Sequence, residues 1–303
     1  MLAVTDGLTE RVDTRFKDGP ILLESVLSRR LILVTGKGGT GKSITSLALA
    51  LAGAKAGRNV LLIENHYAGR LTALTDRCAY PSNLTIKNIT FAQTFRDFIN
   101  QEFSSSAVAK KLFQADFLRK FLHTIPGFNE LLFLGELIQF LKRDRYNLVI
   151  WDGFASGHFL SLVKTPQGII DSGVGGRIAQ EAEKIIAALR DPSDTALVVT
   201  GLLQPLVMSE TMEFWTKFWQ LFSPAQSFLA LRVPLWAYCA IQHEPKMQKW
   251  IDEIRRLSQQ AWERYTFPQG KDAPPVLWSE DLGGIDANPA LNLHEFMFPR
   301  GGA

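Results

Sequence analysis

Cysteine is nearly absent: a chain of 303 residues carries only Cys78 and Cys239. They form no C-x-x-C pair, which argues against a zinc or disulfide framework and leaves two small apolar residues. Charge of one sign is missing too. With 33 basic against 30 acidic residues, the net charge of +3 is too small for a nucleic-acid footprint. No apolar run reaches the roughly eighteen residues of a membrane span, so no integral membrane segment is expected. Asp6 and Glu10 stand where a secretory leader would be basic and then greasy. A cytoplasmic protein is the expectation. Internal repeats and low-complexity tracts are lacking as well.

What is present builds a core. Hydrophobic residues make up 46% and charged residues 21%, a balance that supports folding rather than disorder. The length allows one large domain or two small ones.

The chain is organised around Thr35-Gly36-Lys37-Gly38-Gly39-Thr40-Gly41-Lys42-Ser43. An apolar run, Leu31 to Val34, precedes it, and an Ala/Leu-rich run from Ile44 to Ala56 follows. The pattern is strand, glycine loop, helix. Gly36, Gly41, Lys42 and Ser43 satisfy G-x-x-x-x-G-K-[ST], the phosphate-binding loop. Glycines let successive backbone N–H groups turn toward a polyphosphate, and the helix start adds its positive end. Lys42 supplies a point charge for the β/γ oxygens, and the Ser43 hydroxyl can ligate Mg²⁺. A dinucleotide fingerprint is the other reading. Gly36, Gly38 and Gly41 also fit G-x-G-x-x-G, and Glu64 ends the next apolar run, where a ribose-binding acid would stand. That fingerprint does not call for Lys-Ser after its third glycine, whereas the phosphate loop requires both.

Leu31 to Ile63 reads as a βαβ unit turning at Gly57-Arg58-Asn59, which implies a parallel sheet covered on both faces. A short strand is expected within Leu84–Phe91. From 93 to 142 phenylalanines and leucines recur at three- and four-residue spacing, as in a helical insertion broken at Pro126-Gly127. Those aromatics either pack together or line a client groove. Further strands are expected at Asn147–Trp151, ending in Asp152, and at Ala196–Thr200, Leu235–Ile241 and Val276–Trp278. Helices are expected at Glu210–Phe222 and Pro245–Tyr265. The organisation is an extension over 1–29, an α/β domain over 30–265, and a C-terminal segment over 266–303 with a short strand and tail.

Trp151-Asp152-Gly153-Phe154-Ala155-Ser156-Gly157-His158 is the second motif. An acid at the end of a buried parallel strand can hold a Mg²⁺-bound water. The Gly, Ser and Gly after it suit a loop that moves with the γ-phosphate. With Lys37 directly after its first glycine, the phosphate loop resembles the deviant loop of the arsenite-pump and tail-anchored-protein targeting ATPases. Asp152 to His158, continued to Pro166, resembles the family's D-x-x-x-[ST]-G-H…P segment. Pro126-Gly127-Phe128-Asn129-Glu130, Arg190-Asp191-Pro192 and Val207-Met208-Ser209-Glu210-Thr211 are similar to other family stretches, in order, between about Leu31 and Ile241.

The resemblance implies an α/β P-loop NTPase that binds ATP and Mg²⁺, works as a homodimer or pairs with a paralogue, and serves a protein client. It implies that Gly36, Gly38, Gly39, Thr40, Gly41, Lys42 and Ser43 cradle the nucleotide, with Ser43 and Asp152 at the metal. Lys37 would act across the dimer as a cation in trans, in the manner of an arginine finger; otherwise it is a solvated loop lysine. His158 is either a structural or a catalytic member of the second switch. Departures from the family pattern are equally informative. Where the family has an Asp to orient water, this chain has His66, whose imidazole can accept a proton only when neutral. Glu64, two residues earlier, could serve instead, or turnover could be slow in a regulatory subunit. The family's paired interface cysteines are missing, and Gln167–Leu189 is short where targeting members carry extra helices. Gln242 is the nearest amide to the position of the family's adenine-binding Asn.

Overall fold

The computed structural model describes residues 19–65, 71, 80–90, 93–94, 96, 127–142, 145–202, 204–219, 221, 227–232, 256 and 276–278. Seven strands occur there: β1 (Leu31–Gly36), β2 (Val60–Glu64), β3 (Leu84–Asn88), β4 (Leu148–Ala155), β5 (Thr195–Leu202), β6 (Ser227–Arg232) and β7 (Val276–Trp278). They are accompanied by helices α1 (Gly19–Leu27), α2 (Lys42–Lys55), α3 (Phe128–Leu141), α4 (Ser156–Asp171), α5 (Gly176–Arg190) and α6 (Pro205–Trp219). The strands form one sheet in the order β3-β2-β4-β1-β5-β6-β7, with every neighbouring pair parallel.

The central strands are apolar over most of their length because both faces are covered. Side chains alternate across the sheet. Leu31, Leu33, Leu61, Ile63, Val149 and Trp151 join the layer built by α3 to α6. Ile32, Val34, Leu62, Leu148 and Ile150 join the opposite layer with α1 and α2. The N-terminal extension therefore includes a short helix on the domain, with Val26 fully buried. The Arg58 guanidinium ties that helix down by donating to the carbonyls of Leu27, Arg29 and Asn147. At the other end of the chain, Val276–Trp278 adds the last strand of the same sheet, beside β6.

Two expectations change. The strand expected to end at Asp152 runs on to Ala155 and passes directly into α4 at Ser156, so no loop separates them. The reason lies at Gly153. A Cβ there would lie 2.6 Å from the Val34 carbonyl oxygen and 3.2 Å from the Phe159 ring, so this glycine permits close packing instead of motion. The register moves from Val34↔Asp152 to Gly36↔Ala155, which gives β4 one extra residue, a bulge. The Thr35 hydroxyl donates to the Phe154 carbonyl across it at 2.9 Å. Second, β6 at Ser227–Arg232 was not expected, being short and without alternation. Leu235–Ile241 and, Arg256 apart, Pro245–Tyr265 lie outside the described residues, as does 97–126 of the insertion.

Trp151 is fully buried; it stacks on Phe159 of α4 at 5.4 Å and meets Phe133 of α3 at 5.2 Å. Gly153→Ala should therefore cost about 1–3 kcal/mol by overpacking, read as a lowered urea midpoint. Gly157→Ala, where a Cβ meets nothing within 4 Å, should cost nothing measurable.

Candidate functional site

The phosphate loop leaves the sheet at the end of β1 and enters α2 at Lys42. Gly36 has φ +151°, and a Cβ on it would sit 2.3 Å from Thr200 Oγ1 and 2.4 Å from the Thr200 carbonyl oxygen. Only glycine fits between the loop and β5. Gly41, the N-cap of α2, has φ +88°, which is left-handed backbone that side chains avoid. Thr40 and Thr200 are both fully buried, and they fasten the loop from below. Thr40 Oγ1 lies 2.8 Å from the Lys37 carbonyl and 2.6 Å from Thr200 Oγ1, which in turn lies 3.1 Å from the Thr35 carbonyl. Two hydroxyl protons thus serve three contacts.

Lys42 donates to the Lys37 carbonyl at 3.1 Å. Burial holds its pKa below the ordinary 10.5, and the Asp152 carboxylate opposes that shift. Because the folded value is the lower one, folded protein releases this proton first as pH rises. The nucleotide-free stability tied to Lys42 therefore increases across the window from the lowered value up to 10.5.

Asp152 is almost wholly buried, at 2% exposure. Ser43 donates to its Oδ2 at 2.6 Å, and Ser46 lies 3.2 Å from Oδ1 while donating to the Lys42 carbonyl at 2.9 Å. The first turn of α2 and the end of β4 thus converge on one carboxylate. A hydroxyl and a carboxylate at a single point are the hard oxygen donors that suit Mg²⁺. Above them a Cβ on Gly38 or Gly39 would meet nothing within 4 Å, so those loop residues face open space. The donor set fits a magnesium-bound polyphosphate.

Glu64 stands abreast of Asp152 on the neighbouring strand and is fully buried. Its Oε2 accepts the Leu71 amide at 2.8 Å. Its carboxylate is engaged by the chain's own backbone. His66 and Gln242 lie outside the described residues. His158, in the first turn of α4, is exposed and packs edge-on against the Phe154 ring at 4.4 Å. The Lys37 ammonium pairs with the Glu210 carboxylate of α6, at a crevice lined by Gly36, Ser156, Val199, Thr211 and Phe214.

Ser46, Thr200 and Glu210 join this site without having been singled out as site residues. Ser46 stands three residues after Ser43, on the same helix face, a spacing that could have revealed it. Thr200 and Glu210 arrive from β5 and α6; Thr200 carries no local signal, and Glu210 lies in the family-like stretch 207–211, which does not by itself name its partner.

A family model described as an anion-transporting ATPase matches residues 29–221. The chain belongs to the anion-transporting ATPase family. Among relatives, it is 27% identical over 222 residues to ATPase BagA of Mycobacterium tuberculosis, covering 67% of this chain and 65% of that protein. It is 32% identical over 139 residues to an ATPase ASNA1 homolog of Plasmodium yoelii yoelii, covering 45% of this chain and 36% of that protein. An ATPase ASNA1 homolog 2 of Paramecium tetraurelia is 27% identical over 163 residues, with 48% and 47% covered. The chain thus spans a little under two thirds of the mycobacterial relative and about a third to a half of the other two. Among the described residues, no helix of this family member is long and apolar enough to cross a membrane.

Since Asp152 opposes the burial of Lys42, Asp152→Asn should drive the Lys42 pKa lower still. Amine-selective labelling at about pH 8, where a lysine of ordinary pKa is almost entirely protonated, should then modify Lys42 faster in the variant than in the parent. A slower rate would contradict the electrostatic coupling.

Proposed function

We propose that this chain is a Mg²⁺-dependent ATPase of the arsenite-pump and targeting type, which uses ATP to close a dimer and hydrolysis to reopen it and release a protein client. The observation that carries this reading is the Ser43–Asp152 contact at the foot of the phosphate loop, where α2 and β4 meet. In this reading the domain spans 30–265 with an insertion at 93–142, and the segment 266–303 lends its strand to the sheet. The cycle is cytoplasmic.

Each residue has a defined task. Backbone N–H groups of Gly38 to Ser43, at the positive end of α2, bind the phosphates. The Lys42 ammonium exchanges part of its contact with the Lys37 carbonyl for β/γ oxygens. Ser43 and Asp152 would hold the metal, with Ser46 beside Asp152 to keep its carboxylate in place. Mg²⁺ supplies neutralisation of charge on the β- and γ-phosphate oxygens when bound. Lys37 of one copy delivers its ammonium to the nucleotide of the other, where negative charge develops. His66 as neutral imidazole orients the attacking water, with Glu64 anchoring the backbone that follows. Gln242 is the base contact.

A second reading has a specific motive. With His66 in place of the family's switch Asp, the chain could bind ATP as a clamp and leave hydrolysis to a paralogue in a heterodimer.

Lys42→Ala removes the charge-assisted contact and should weaken ATP binding at least about tenfold, measured with a fluorescent analogue. An unchanged ATPase rate in that variant would overturn the enzyme reading. If His66 already positions the water, His66→Asp should lower kcat. A gain of about a hundredfold or more, the range of general-base catalysis, would instead establish the clamp.

A further inference from the structure

Glu210, in the stretch Val207-Met208-Ser209-Glu210-Thr211, is the ion-pair partner of the loop's distinctive lysine among the described residues. Lys37 is bound to its own subunit: its ammonium pairs with the Glu210 carboxylate, and the two side chains are 39% and 41% exposed. Both ends of the pair are anchored. The Lys37 carbonyl accepts from Thr40 and Lys42, which fixes the backbone beneath the lysine. Glu210 rides on α6, whose neighbouring Thr211 is buried with its hydroxyl donating to the Val207 carbonyl at 2.6 Å. Phe214, one turn on, is buried against Phe159 and Phe218. With both side chains part-exposed, this contact falls in the range for exposed ion pairs.

A lysine held inside its own subunit cannot also reach across a dimer. We propose that Glu210 is a positioning residue for Lys37: it holds the ammonium back in the nucleotide-free chain, and ATP-dependent dimer closure requires this pair to open. The proposal rests on the reading of Lys37 as a cation supplied in trans. The energetics set the direction. An exposed ion pair biases an equilibrium without locking it, and it weakens with salt. A magnesium-bound triphosphate presents several negative charges in a site with less water, and it outcompetes one half-exposed carboxylate. Glu210 therefore sets how much nucleotide is needed to commit two chains to each other.

The test compares full-length parent and Glu210→Gln. In the first arm, nucleotide-free protein is acetylated with an N-hydroxysuccinimide ester, and Lys37 is quantified by peptide mass spectrometry against Lys55. Lys37 should be modified about three- to fivefold faster in Glu210→Gln, the range expected of an exposed pair. In the second arm, dimer formation is followed by light scattering as a non-hydrolysable ATP analogue is added with Mg²⁺. The half-saturating concentration should fall by a similar factor, and both differences should shrink at about 1 M salt. Equal modification of Lys37 in the two proteins would overturn the proposal, as would faster modification with unchanged or weakened dimerisation. If the parent binds the analogue but never dimerises, the dimeric reading itself fails. If it dimerises and the labelling ratio is one, only the role of Glu210 falls.

Discussion

A carboxylate removed from water is the constraint around which this molecule is arranged. Asp152 lies within β4, just before its bulge, with almost no exposed surface, and an ionised group in that position is costly unless donors surround it. The first turn of α2 provides a donor in Ser43, and the Ser46 hydroxyl shares its one proton between the Lys42 carbonyl and the acid, while the Lys42 ammonium supplies opposite charge nearby. Helix α2 is therefore fixed to the strand it faces by polar contacts at its start and by apolar packing along its length. Phosphate loop, helix and acid form one unit before any ligand arrives.

The sheet makes that unit precise in space. β1 lies between β4 and β5, so the loop leaving β1 has an acid-bearing strand on one side and Thr200 on the other. Gly36 fits where any side chain would strike β5, and the Thr40–Thr200 contact holds the loop to that strand. Parallel neighbours bring all three strand ends to the same edge, which is where open α/β sheets bind their ligands.

What could be read from the sequence was local. The phosphate loop announced itself because its residues are contiguous and its flanking runs have the length of a strand and a helix. Asp152 was legible as an acid closing an apolar run. Ser46 was hidden in an Ala/Leu-rich helix, although its spacing from Ser43 places both on one face. The contacts of Thr200 and Glu210 could not be found this way, since Thr200 meets Thr40 160 residues away and Glu210 meets Lys37 173 residues away (210 − 37) along the chain. Gly153 misled for a different reason. Glycine signals conformational freedom and close approach equally well, and only the neighbouring Val34 carbonyl decides between them. β6 escaped because six residues beginning with serine and ending with arginine carry no periodic signature.

The uninterrupted passage from β4 into α4 has a mechanical consequence. Trp151 on one side of Asp152 stacks on Phe159 beyond it, and no slack joint intervenes between the acid and the helix. Asp152 and α4 therefore form a stiff crank whose fulcrum lies at the bulge. A shift of the first turn of that helix is passed to the acid through the Trp151–Phe159 stack, and a displacement of the acid returns by the same stack.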